Sequence, residues 1–127
     1  LGSSAILPGM RTLALALALL AAGCQDYTTG VQTICNAPRD CQQCQGAEPA
    51  KRDQLMAQHM SRSVRNEEAR ALQEKLSKLD DAERAKLLRE AAEKAGLSSC
   101  ILAERFEGRA KAWAEREKNG PGEPPPE

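Results

Sequence analysis

Apolar positions divide this chain into one unbroken run and three periodic stretches. The unbroken run, residues 13–22, is all Leu and Ala. It leaves no polar face for a buried helix, and at about ten residues it reaches only half of what a bilayer crossing requires. The first periodic stretch begins at Pro49, a favoured first-turn residue. Met56, Met60 and Val64 recur at steps of four, and Ala71, Leu72, Leu76 and Leu79 follow. Helical spacing of this kind predicts an amphipathic helix. No Gly or Pro interrupts residues 50–79, so a continuous, bent helix is expected rather than a break near Asn66.

Asp80 opens the second stretch as an N-cap, with Glu83 three residues on in the manner of a capping box. Leu87, Leu88, Ala91, Ala92 and Ala95 then fall on one face, and Gly96 supplies the left-handed residue that closes a helix, with Leu97 packing back. Ser98 or Ser99 is the expected cap of a third helix. Its stripe is Leu102, Phe106, Ala110 and Trp113, weakened by about 1 kcal/mol at Gly108. Three amphipathic helices joined by short turns predict an all-α fold, a small bundle of about three helices. No internal repeat is present.

The apolar run also carries an address. Arg11 precedes it, and it ends in Ala21-Ala22-Gly23-Cys24, the basic, apolar and small-residue order of a secretory signal peptide. A cysteine directly after small residues resembles the lipobox of bacterial lipoproteins, although Ala21 stands where Leu is usual. The resemblance implies export, cleavage before Cys24, diacylglycerol on the Cys24 thiol and a further acyl chain on its amine. Two or more chains give stable anchoring where one does not. The next residue is Gln25, not the Asp that retains enterobacterial lipoproteins in the inner membrane. The same rule would direct this chain to the periplasmic face of the outer membrane. Residues 1–9 add no charge to the leader and are expected to lie upstream of the true start.

Domain expectations follow: 1–23 as signal peptide, 24–34 as a lipidated tether, 35–118 as a cysteine-stapled helical domain, and 119–127 as a disordered tail with four prolines. The nine polar-rich residues 25–33, fully extended, would reach about 30 Å.

Removing residues 1–23 leaves 104 residues with 17 Lys and Arg against 18 Asp and Glu. That balance, with Glu interspersed among the bases, describes solvated helix faces and argues against nucleic acid as a partner. Tyr27, Phe106 and Trp113 are the only aromatic residues. A core of Leu, Ala and Met in so short a chain commonly needs a covalent staple.

Cys35, Cys41, Cys44 and Cys100 can supply it, since an even number of cysteines in an exported chain reads as a disulfide framework. The favoured pairing is Cys35 with Cys100 and Cys41 with Cys44. Closing the 65-residue loop is worth about 4 kcal/mol in the chain-entropy model. Joining Cys100 to Cys41 or Cys44 instead gives nearly the same figure, so entropy does not choose. Turn-forming residues dominate 35–46, which predicts an irregular, disulfide-rich N-terminal segment.

Candidate chemistry is sparse. Cys41-Gln42-Gln43-Cys44 has the spacing of thiol–disulfide oxidoreductases, but no strand-loop-helix context surrounds it. Four thiolates could hold zinc, yet free thiolates seldom persist outside the cytoplasm. His59, the sole histidine, is expected to face solvent and cannot form a triad alone. Glu67-Glu68 and Asp80-Asp81 suit helix starts, and Phe106 and Trp113 are expected to pack in the core.

The stretch 96–103, Gly-Leu-Ser-Ser-Cys-Ile-Leu-Ala, taken with 34–38, Ile-Cys-Asn-Ala-Pro, resembles small uncharacterised periplasmic helical lipoproteins. The resemblance implies no activity. The expected role is therefore a non-catalytic binding or structural accessory of the cell envelope. It would touch the membrane through its lipid anchor and an envelope protein as partner, with no cofactor beyond the covalent lipid on Cys24. The enzymatic alternative is thiol–disulfide exchange at Cys41 and Cys44.

Overall fold

Asp80 and Gly96 bracket one helix and in doing so set the geometry of the next. In the computed structural model, which describes residues 24–120, the Asp80 carboxylate accepts the Glu83 backbone N–H at 2.9 Å. At the far end Gly96 takes φ +76°. Leu97 N–H then reaches Ala92 O at 2.8 Å and Gly96 N–H reaches Glu93 O at 3.0 Å, the paired bonds of a Schellman closure. The helix between these caps is Asp81–Lys94 and the one after the turn is Ile101–Lys118. Leu88, Ala91 and Ala92 are buried against Leu102 and Ala103. The Arg89–Glu107 and Asp81–Arg109 ion pairs run the antiparallel register along the hairpin.

In chain order the α-helices are α1 Tyr27–Cys35, α2 Ala37–Asp40, α3 Pro49–Ser63, α4 Glu67–Leu76, α5 Asp81–Lys94 and α6 Ile101–Lys118, with a 3₁₀ turn at Gln42–Cys44. The fold is all-α, with six α-helices rather than about three among the described residues. The cysteine-rich segment is more regular than expected, because α2 and the 3₁₀ turn occupy it.

The segment read as a polar tether is the central strut of the bundle. Val31 and Ile34 of α1 have no exposed surface and Cys35 has 1%. Tyr27, partly buried, lies on the same stripe, and α1 packs against every other α-helix. Asp26 caps it by accepting the Thr29 N–H at 2.7 Å. Hydrogen bonds from Thr29, through its side chain and then its backbone, hold the Asp26 carboxyl below its ordinary pKa. Gly30 lies where α1 crosses α4; a Cβ there would stand 2.6 Å from the Ala69 Cβ. Across α1, the Lys94 ammonium sits 2.7 Å from Glu68 and 4.8 Å from the Tyr27 ring centroid. Its pKa is raised by the hydrogen bond and charge of Glu68.

The expected continuous helix over 49–79 is two helices. Val64 and Asn66 are extended, at φ −90°, ψ 113° and φ −68°, ψ 131°. Neither Gly nor Pro is needed, because side chains take up backbone groups freed at the break. Asn66 caps α4 through Ala69 N–H at 3.0 Å. Gln25 Oε1 accepts from Arg65 N–H at 2.7 Å and Asn66 N–H at 3.1 Å, and Gln25 Nε2 donates to Ser63 O at 3.2 Å. Arg70 Nε donates to Val64 O at 2.9 Å. The break turns Val64 wholly inward and brings Ala69, not Ala71, into the core. Similarly, α6 is not capped by Ser98 or Ser99. Cys100 stands at the cap position without a side-chain capping bond, and its sulfur is tied to Cys35 instead.

Candidate functional site

Cys24 is exposed and is the free cysteine among the described residues. Its neighbour Gln25 is already bonded to three backbone groups of the 63–66 break, and the Gln25 carbonyl accepts from Asn66 Nδ2 at 3.1 Å. Among the described residues, hydrogen bonding to the fold therefore starts one residue after the candidate modification site. An exposed thiol at this position is open to acylation, and any group carried there would be held within a residue or so, about 3.5 Å per residue, of the domain surface. The expected leader, residues 1–23, and residues 121–127 of the expected tail lie outside the described residues.

The other four cysteines are joined as Cys35–Cys100, with Cα atoms 4.6 Å apart, and Cys41–Cys44, at 5.3 Å. The first bond links the end of α1 to the start of α6. The second clips the 3₁₀ turn beneath α3. Thiol–disulfide exchange wants an accessible sulfur in electropositive surroundings. Cys41 and Cys44 are each only 2% exposed. Their sulfurs face backbone carbonyls of α3, Leu55 O at 4.0 Å and Arg52 O at 3.9 Å. Carbonyl dipoles disfavour a thiolate and would hold a reduced thiol as a donor. The arrangement suits a structural clip better than an attacking nucleophile.

His59 differs from its expected solvent-facing position. It is half-buried on α3, with a covered Nε2, and with Arg62 it borders a hollow of about 240 Å³ beside Cys41 and Gln43. The bonded sulfurs do not converge as a four-thiolate site, and no group of three metal-ligating side chains gathers among the described residues. Glu67, Glu68 and Asp81 occupy first turns of their helices, and Asp80 is a cap.

The two large aromatics of α6 separate. Phe106 packs on the core between the guanidinium groups of Arg84, 5.4 Å from its centroid, and Arg109, 5.8 Å. Trp113, expected in the core, is 60% exposed. It lies beyond the last turns that the bundle covers, donating its indole N–H to Glu117 at 3.0 Å under Arg116.

Two positions escaped the sequence reading. Gln25 gives no local signal, since its partners lie about forty residues away. Gly30 could have been found: Tyr27, Gly30, Val31, Ile34 and Cys35 follow a helical stripe behind the Asp26 cap. No helix among the described residues is long and apolar enough to cross a membrane.

Comparison with protein-family models, with curated proteins and with solved structures finds no match for this chain.

Proposed function

We propose that this chain is a bacterial envelope lipoprotein, lipidated at Cys24 and held on the periplasmic face of the outer membrane. Its role in this reading is that of a non-catalytic binding or structural accessory. The observation that carries the reading is a coincidence of boundaries. The apolar run and small residues that would direct cleavage end at Cys24, and among the described residues hydrogen bonding to the fold starts at Gln25. Cys24 stays exposed between the two.

Two further features support it. The disulfides fit an exported chain, and Gln25 stands where an Asp would retain an enterobacterial lipoprotein in the inner membrane. With no slack between anchor and fold, the acyl chains would hold the 63–66 break and the start of α1 against the headgroups. An envelope partner would then be met only close to the membrane.

The test is fractionation followed by cross-linking in intact envelopes. Wild type should partition with the outer membrane and cross-link a defined partner, whereas Cys24→Ser should lose both. Equal partitioning of the two forms, or no anchor-dependent partner, would contradict the reading.

A further inference from the structure

Between α3 and α6, closed on one side by the end of α4, lies a groove of about 270 Å³. Its floor is Met56, Met60, Leu76, Leu102 and Phe106. Three arginines border it, and two are already matched. Arg84 reaches Asp81 at 3.3 Å and donates to Leu76 O at 2.9 Å. Arg109 reaches Asp53 at 3.4 Å and Asp81 at 3.3 Å. Arg105, half-buried on the same wall, makes no ion pair or hydrogen bond with any described residue. The groove is thus short by one anion, and a guanidinium partly out of water gains most from a carboxylate or phosphate.

We infer that this groove binds a single-chain amphiphile with an anionic head, its alkyl chain along the methionine floor and its carboxylate or phosphate on Arg105. The dimensions select that occupant. Its apolar anchors, Met56 to Met60 and Leu102 to Phe106, each span one helical turn, about 6 Å, within a lining that runs about 10 Å from Asp53 to Met60 and from Leu102 to Arg109. A docked amphipathic helix needs anchors over two turns or more, whereas a flexible chain fills a short, irregular trough. Unbranched methionines adapt to such a chain. The volume is just under the 300 Å³ or so where small-molecule sites usually begin, which fits a medium-length chain. The inference is independent of lipidation at Cys24, so either can fail without the other.

The test is calorimetric titration of the full chain carrying Cys24→Ser, below the micellar concentration of each probe. The probes are decanoate, decyl phosphate, decanol and decyltrimethylammonium. Decanoate and decyl phosphate should bind with one-to-one stoichiometry, and the tighter of the two identifies the head group. Arg105→Gln should weaken both about tenfold or more, as loss of a charge-assisted pair implies, and leave decanol unchanged. Ala57→Trp, on the groove's exposed lip, should block all binding while circular dichroism stays helical. The inference is overturned if neither anion saturates, if Arg105→Gln binds like wild type, or if decyltrimethylammonium binds as tightly. Displacement of decanoate by an acidic helical peptide that binds more tightly would overturn it too.

Discussion

The α5–α6 hairpin and the segment that leads into α1 reach the same degree of order by opposite means. In the hairpin the order is local. A cap, a closing glycine and two complementary stripes lie within about forty consecutive residues, and the helices of 14 and 18 residues pack along each other. In the N-terminal segment it is imposed from a distance. A nine-residue helix containing Gly30 and three threonines is too short to persist alone. Its restraints come from residues 38 to 67 positions away: Gln25 on the 63–66 break, Thr28 Oγ1 on Ala95 O at 3.3 Å, and the Cys35–Cys100 bond. The core is built on that borrowed helix, since Val31 and Ile34 have no exposed surface.

This contrast predicts unequal responses to disruption. Removing the Cys35–Cys100 bond by paired alanine substitution should cost about 4 kcal/mol, and removing Cys41–Cys44, which closes a far smaller loop, about 2 kcal/mol. Chemical denaturation followed by circular dichroism measures both. Equal losses would mean that α1 does not depend on its tie to α6. Gln25→Leu comes next. It strands the Arg65 and Asn66 N–H groups and the Ser63 carbonyl, for a loss of about 2 kcal/mol. Amide exchange at 63–66 should accelerate while the α5–α6 amides keep their protection.

The two helical glycines sharpen the point. Gly30→Ala must push α1 away from Ala69 and should destabilise by about 1–2 kcal/mol, overpacking outweighing the gain in helix propensity. Gly108 has open space around it, and Gly108→Ala should stabilise by about 1 kcal/mol. Thermal melts of the pair should therefore move in opposite directions. The smallest effect is that of pH. Because Asp26 is held below its ordinary pKa, its contribution is full above the unfolded carboxylate value and is lost as pH falls through the lower folded one. Wild type should lose more stability on acidification than Asp26→Asn, which can still cap. Identical acid profiles would mean that the Asp26 charge adds nothing to the cap.

What could be read from the sequence follows the same division. Asp80, Gly96 and the Leu88 and Leu102 stripes announce α5 and α6 because their causes lie within a few residues. The break at 64–66 was not legible. Asn66 is an ordinary cap candidate, and what decides for two helices over one is a glutamine some forty residues upstream. Trp113 illustrates the converse: its spacing matches Phe106, but α6 outruns the bundle and leaves it largely exposed. For the candidate site, Cys24 was legible as a candidate from the run before it. The absence of slack behind it was not, because Gln25, Thr28 and Thr29 read as polar linker until their partners are seen.

A single exposed sulfur, that of Cys24, is the proposed membrane attachment. Intact-mass spectrometry of the protein extracted from membranes tests this directly. It should recover a polypeptide beginning at Cys24 that carries a diacylglycerol and a further acyl chain. Recovery of an uncleaved precursor, or of a processed chain whose Cys24 thiol is unmodified, would contradict it.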